Sequence, residues 1–344
     1  MQYYSIWYVM RIYAKTAKEE ITLIEVRNFV KRYGDHLAVD DLSFTIEEGK
    51  IYGFLGPNGA GKSTTMNIMT GYISATSGEV IINGHNILEE PEKAKKNIGY
   101  LPEIPPLYTD MTVTEYLQFA QELKGIPKAE RAEDLEKVLS MTGLQDVAGR
   151  LIANLSKGYR QRVGLAQAIT GFPKIIILDE PTVGLDPKQI IEIRELIRNL
   201  AKNHTVILSS HILSEVQEVC DQIIIIHKGH LMANGTADQL ETEFGSNTIE
   251  LTLKSDSYDT VKAILKTIPG ILAAKQLSCE NGETTVDVKV KKGLDIREDV
   301  FNAFANASLP ILMMKSNDFS LEQIFLQITQ NTMGDSTLIK EVRE

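Results

Sequence analysis

The residues best suited to chemistry in this chain lie in "GFLGPNGAGKSTT", where residues 56–63 fit the spacing G-x-x-x-x-G-K-[ST]. A phosphate group has to be met by several N–H donors at short range, so side chains must stand clear. Gly56, Gly59 and Gly61 permit the backbone conformations this needs. Lys62 brings a point charge to the β- and γ-phosphates, and the hydroxyl of Ser63 is a ligand for Mg2+. Pro57, Asn58, Ala60 and Thr64 belong to the same loop. A carboxylate pair, Asp179 and Glu180, follows the apolar run "KIIIL". At the end of a buried strand beside a phosphate loop, Asp179 is placed to hold Mg2+ through water and Glu180 to polarise an attacking water. A third stretch, "NLSKGYRQR" from Asn154, reads as a helix start with Ser156 as its cap and Gly158 just inside it. Such starts also hold anions. The chain therefore carries a second anion-type site beside a better one.

These groups need strands that end beside the loop. "KIYGFLG" reads as a strand and "KSTTMNIM" as a helix opening at the loop's end, the setting the motif requires. From Ile21 to about Thr236, short apolar strands alternate with helical patterns, which predicts a largely parallel sheet. "IIIL" (175–178) and "IIII" (223–226) are apolar on both faces, as strands covered by helices are. From about Leu101 to Arg150 the pattern is mostly helical. "TVTEYLQFAQELKG" follows Met111, with Thr112 and Glu115 forming a capping-box signature; "AERAEDLEKVLSMTG" ends near Gly143. With the helix at Ser156, this predicts a helical insert over about 101–165. After about Gly245 the style changes: the order β-α-β-β-α-β-α, with an Asn281–Gly282 turn, predicts a small α+β domain of ferredoxin-like type. In its last helix Leu321, Ile324, Phe325 and Ile328 share one face. The expected organisation is an N-terminal extension (1–20), an α/β domain (21–245) and an accessory α+β domain (246–344).

The 344-residue chain has a formal net charge of -10, which argues against a broad basic surface, so no nucleic-acid partner is expected. Its two cysteines, Cys220 and Cys279, form no metal-like cluster and fit a reducing compartment. No uncharged apolar run approaches the roughly 20 residues a membrane helix needs. The start "MQYYSIWYVMR" lacks the basic region of a signal peptide.

In this order the motifs resemble an ATP-binding cassette (ABC) ATPase, the nucleotide-binding subunit of a transporter. The resemblance runs from about Ile21 to Thr236. It rests on the loop 56–64, the strand and carboxylates 175–180 with "VGLD" after them, "LSKGYRQR" about twenty residues earlier, and His211 in "VILSSHILSEVQEVCDQIIIIHKG". It implies an α/β P-loop ATPase sandwich with a mostly parallel sheet, an antiparallel β part and the helical insert. It also implies two copies facing head to tail, with ATP on one phosphate loop covered by the other copy's signature helix, so that Ser156 and Gly158 reach the partner's γ-phosphate. ATP and Mg2+ are the implied cofactors. Tyr33 stands where the family stacks a ring on adenine, His211 where a side chain reaches the γ-phosphate or the water, and Asp186 at the dimer junction. Glu180 and His211 are then the catalytic pair, and Ser63, Asp179 and Glu103 the metal set.

Two departures stand out. The common signature reads LSGGQ; here Lys157 replaces a glycine and Tyr159 the glutamine. Lys157 either adds positive charge near the phosphate or points to solvent. Glu103 stands where glutamine is common; ionised, it can ligate Mg2+ or accept a hydrogen bond but cannot donate one. Pro105 and Pro106 stiffen the next turn, as a coupling lever or a plain turn. The implied function is transport, export ahead of import, powered by ATP-driven closure of a dimer with a second copy or a related ATPase subunit. The chain would act peripherally at the cytoplasmic face of the membrane, with a separate integral membrane permease. Two other functions share the motifs. Against a cassette ATPase of ribosomes or DNA stand the single cassette and the acidic balance. Against a nucleotide-sensing module stand the intact Lys62, Asp179, Glu180 and His211.

Overall fold

A computed structural model of the chain describes residues 21–244, 248–291, 294–317 and 321–330. The expected extension 1–20 lies outside them. The chain divides into two compact units between Asn234 and Gly235.

In the first unit, β3 (Ile51–Leu55) is buried at every position because it lies inside a six-stranded sheet. Its companions are β6 (Ile98–Leu101), β7 (Ile175–Leu178), β8 (Thr205–Ser210), β9 (Gln222–His227) and β10 (His230–Gly235), in the order β10-β9-β3-β8-β7-β6. The pairs β3–β8, β3–β9, β6–β7 and β7–β8 are parallel. That explains the unbroken apolar runs: β3, β7 and β8 are buried at every position, on both faces. A second, antiparallel sheet has the order β2-β1-β4-β5, from β1 (Thr22–Tyr33), β2 (His36–Glu47), β4 (Ser77–Ile82) and β5 (His85–Asn86). The helix after the phosphate loop, α1 (Lys62–Met69), buries Met66 and Met69 in the core shared by the two sheets. There Phe44 and Phe54 meet edge to face at 5.3 Å. Each such fully buried side chain contributes on the order of 2–3 kcal/mol.

After α2 (Pro91–Lys95) and β6 comes the helical insert: α3 (Val113–Leu123), α4 (Arg131–Thr142) and α5 (Lys157–Ile169). Thr112 and Glu115 form the expected reciprocal capping box on α3, and Gly143 ends α4 in the left-handed conformation. The helical run continues to Ile169, a turn beyond the predicted 165. Pro105 packs where a side chain at Gly164 of α5 would begin, 2.8 Å away, so the loop after β6 rests directly on α5. Helices α6 (Pro187–Leu200) and α7 (Leu213–Val219) complete the unit.

The second unit holds α8 (Ala237–Phe244), β11 (Thr248–Leu253), α9 (Tyr258–Leu265), β12 (Ile271–Glu280), β13 (Glu283–Val290), α10 (Arg297–Asn306), β14 (Ile311–Asn317) and α11 (Leu321–Gln330). Its sheet runs β12-β13-β11-β14 with every neighbouring pair antiparallel, the ferredoxin-like arrangement. Asn281 and Gly282 both have positive φ, as a tight hairpin turn demands. Leu321 and Ile324 on α11 are buried. The boundary drawn from sequence at 245/246 is corrected to 234/235. Helix α8 packs on α11, where Glu241 accepts a hydrogen bond from the Leu321 amide at 3.3 Å. The change of style after Gly245 marks the start of β11, not of the unit. Among the described residues, no helix is long and apolar enough to cross a membrane.

Candidate nucleotide site

Strand β3 ends where the phosphate loop begins, and α1 starts where it closes. The loop lines a cavity of about 460 Å³. Residues 58–64 form its floor, and Tyr33, Glu103, Glu180 and His211 reach it from four other segments. Lys62 is 5% exposed; its ammonium donates to the Gly56 carbonyl at 2.7 Å and lies 3.4 Å from Glu180 Oε1. A weaker contact runs to the Pro57 carbonyl at 3.4 Å. The other Glu180 oxygen, Oε2, is 3.0 Å from His211 Nδ1. The carboxylate is thus held between a lysine and a histidine, in a place too dry for a lone charge.

Glu180 has a φ of +48°, in the left-handed region where a side chain costs roughly 1–2 kcal/mol. Its amide donates to Ser209 Oγ at 2.9 Å, which holds the bend. The Ser209 hydroxyl donates in turn to Asp179 Oδ1 at 2.5 Å, and the Ser63 hydroxyl donates to the same oxygen at 3.2 Å. Asp179 is 3% exposed, and its amide is tied to the Leu101 carbonyl at 2.8 Å. Burial first, then the charge of Asp179, pushes the Tyr100 phenol up, so it stays neutral and donates to Asn67 Oδ1 at 3.0 Å. Burial likewise raises the Cys220 thiol, which keeps it protonated and unreactive.

At the outer rim Tyr33 and His36 face each other in register across the β1–β2 turn, and both line the cavity. Tyr33 is 48% exposed, and the Lys31 ammonium sits 5.0 Å from its ring centroid. An exposed ring beside a phosphate cradle offers a flat face to a base. Tyr33→Ala is expected to raise the KM for ATP about tenfold with kcat nearly unchanged, since stacking on a base is worth about 1–3 kcal/mol. Steady-state phosphate release checks this; an unchanged KM removes Tyr33 from the site.

Ser156, Gly158 and Asp186 do not line this cavity. Ser156 caps α5, accepting from the Tyr159 amide at 3.3 Å, and Asp186 caps α6, accepting from the Gln189 amide at 2.9 Å. The two starts are packed together: a side chain at Gly158 would run into the Gln189 amide group at 2.7 Å. Lys157 lies over Gly184, whose φ is +69°. Its ammonium therefore rests on the turn that leads from Glu180 to Asp186. Sequence reasoning missed Ser209, His36 and Val183. The doubled serine ending "TVILSS" was the available signal for Ser209, and the hairpin partner of Tyr33 the signal for His36.

A family model described as ABC transporter matches residues 39–183. The bacitracin transport ATP-binding protein BcrA of Bacillus licheniformis is 34% identical over 311 residues, covering 89% of this chain and 97% of BcrA. The chain belongs to the ATP-binding proteins of ABC transporters. The linearmycin resistance ATP-binding protein LnrL of Bacillus subtilis (strain 168) is 31% identical over 91% of this chain and all of its own length. The uncharacterized ABC transporter ATP-binding protein YhcH of the same organism is 44% identical over 61% of this chain and 69% of its own. A solved ATP-binding subunit of an ABC transporter superposes with a TM-score of 0.60 at 33% identity, covering 65% of this chain and 93% of that one. The ATP-binding cassette MJ0796, solved as a dimer with ADP and Pi, matches with a TM-score of 0.57 at 27% identity, over 62% of this chain and 98% of its own. This ABC protein is an ATPase that powers transport. Subunits of its family dimerise and work with membrane permeases.

Proposed function

We propose that this chain drives export, working as a head-to-tail pair with a separate integral permease at the cytoplasmic face of the membrane. In this reading each protomer's Ser156 and Gly158 complete the ATP site on the partner's phosphate loop. One observation carries it: α5 opens with an exposed serine cap, outside the cavity of its own chain. Free N–H groups and the helix dipole at that start suit a phosphate that its own chain does not bring there. The relatives named for bacitracin transport and linearmycin resistance support export.

Hydrolysis then follows from the groups present. Lys62 is paired with Glu180. The phosphates of ATP are the stronger partner and draw the ammonium away. Glu180 Oε1 is freed to accept a hydrogen bond from water, while Oε2 stays on His211. The water oxygen bonds to the γ-phosphorus as the bond to the ADP oxygen breaks, and its proton passes toward the carboxylate. Placement and charge supply most of the acceleration in such transfers. Ser63, Asp179 and Glu103 offer a hydroxyl and two carboxylates, a hard-oxygen set that fits Mg2+, and Ser63 Oγ already stands 3.2 Å from Asp179 Oδ1. When bound, Mg2+ supplies charge neutralisation on the β- and γ-phosphates.

The test is complementation. Ser156→Ala and Lys62→Ala chains are each expected to be nearly inactive. Mixed in equal amounts, they form hybrid pairs with one intact composite site, and activity returns toward about a quarter of the wild-type value. No recovery on mixing, or normal turnover in Ser156→Ala alone, defeats the shared site.

A further inference from the structure

Helix α5 carries the signature at its start and turns at its far end into β7, which delivers Asp179 and Glu180. The elbow between them, residues 170–174, is gripped from the helical insert. Lys124, just past α3, donates to three carbonyls at that end: Gln167 at 3.0 Å, Ala168 at 2.9 Å and Thr170 at 2.7 Å. Every ammonium proton is used, where the free carbonyls and dipole of a helix end favour a cation. Asp134, in the first turn of α4 and 7% exposed, accepts from the Gly171 amide at 2.8 Å and from the Gln121 side-chain amide at 2.7 Å. The backbone held there is an unusual one: Gly171 and the following Phe172 have φ of +77° and +48°. A left-handed phenylalanine persists only where its surroundings impose it. From the core side, His204 Nδ1 is 2.6 Å from the Pro173 carbonyl, and Phe172 stacks on His204. The insert's side of this clamp therefore depends on two charged side chains, Lys124 and Asp134.

We propose that Lys124 and Asp134 are positioning residues for ATP-driven dimer closure: they lock the elbow, and so fix the angle at which α5 presents Ser156 and Gly158 to the partner relative to the chain's own Asp179 and Glu180. The proposal rests on the shared-site reading above. Neither residue lines the nucleotide cavity, so binding of ATP to a single chain and closure of the pair should separate.

The experiment uses the full chain with Lys124→Met, which keeps the apolar stem, and Lys124→Arg, which restores donors. Each is also made in a Glu180→Gln background. Hydrogen exchange at residues 167–172 is expected to rise about tenfold in Lys124→Met, the order expected for losing charged hydrogen bonds. Binding of a fluorescent ATP analogue to the isolated chain should stay within about twofold, while the ATP concentration for half-maximal dimer rises about tenfold. In the Glu180-intact chain kcat falls, and Lys124→Arg returns each value toward the parent. Unchanged exchange at the elbow overturns the clamp. Faster exchange with unchanged dimerisation overturns its role in positioning, and so does a loss of nucleotide binding in step with the loss of dimer. If the Glu180→Gln parent itself forms no dimer with ATP, the shared site has failed, and exchange together with kcat against KM still judges the clamp.

Discussion

Glu180→Gln is expected to lower ATP turnover by about a thousandfold, as removal of a general base does, while ATP affinity stays close to that of the parent. The substituted side chain has the same shape and the same backbone preference, so the bend held by Ser209 survives. An amide can still accept from Lys62 through its oxygen and donate to His211 through its nitrogen, so both contacts survive. It cannot take a proton from water. ATP then binds, the pair closes, and the reopening that follows product release does not come. Phosphate release together with size-exclusion chromatography in ATP reads both effects. Turnover near the parent's would remove Glu180 from its role, and loss of hydrolysis without ATP-bound pairs would separate closure from chemistry.

Lys62→Ala is expected to act on the stability of the fold as well as on the reaction. It strips the phosphates of their protein cation, and kcat/KM should fall by about a hundredfold to a thousandfold, the loss of a charge-assisted contact in a dry site. It also leaves Glu180 buried with only His211 beside it. Breaking such a pair from one side costs on the order of 3 kcal/mol. Lys62→Ala should therefore unfold at a lower denaturant concentration than the parent, and adding Glu180→Gln should restore much of the difference. Equilibrium unfolding of the two single variants and the double variant measures the coupling. Additive losses would mean that Lys62 and Glu180 do not stabilise one another before nucleotide arrives.

Much of this site is legible in the sequence alone, and the reason is locality. The phosphate loop is contiguous, its glycines sit between a strand and a helix that announce themselves, and the apolar run at 175–178 points straight at Asp179. The capping box on α3 and the Asn281–Gly282 turn are likewise settled by residues within a few positions of each other. What escaped depends on contacts across long stretches of chain. Ser209 is thirty residues from the carboxylate it supports, and the doubled serine at its strand's end says nothing of which carboxylate it reaches. Lys157 offered two destinations, and only the fold brings Gly184 beneath it. Lys124 lies 43–46 residues from the carbonyls it binds and reads in sequence as an ordinary solvated lysine. The unit boundary was misplaced because α8 has its partner, α11, some eighty residues downstream.

The left-handed bend at Glu180 also limits how this protein can change over generations. Asparagine and aspartate tolerate that backbone better than most residues, and glutamine no worse than glutamate. Valine, isoleucine and threonine are strained there by their branched Cβ. A lineage can thus lose hydrolysis at this position and keep a well-folded nucleotide binder most readily through glycine or replacements without a branched Cβ. Silent subunits of asymmetric pairs have a short list of residues through which to arise here.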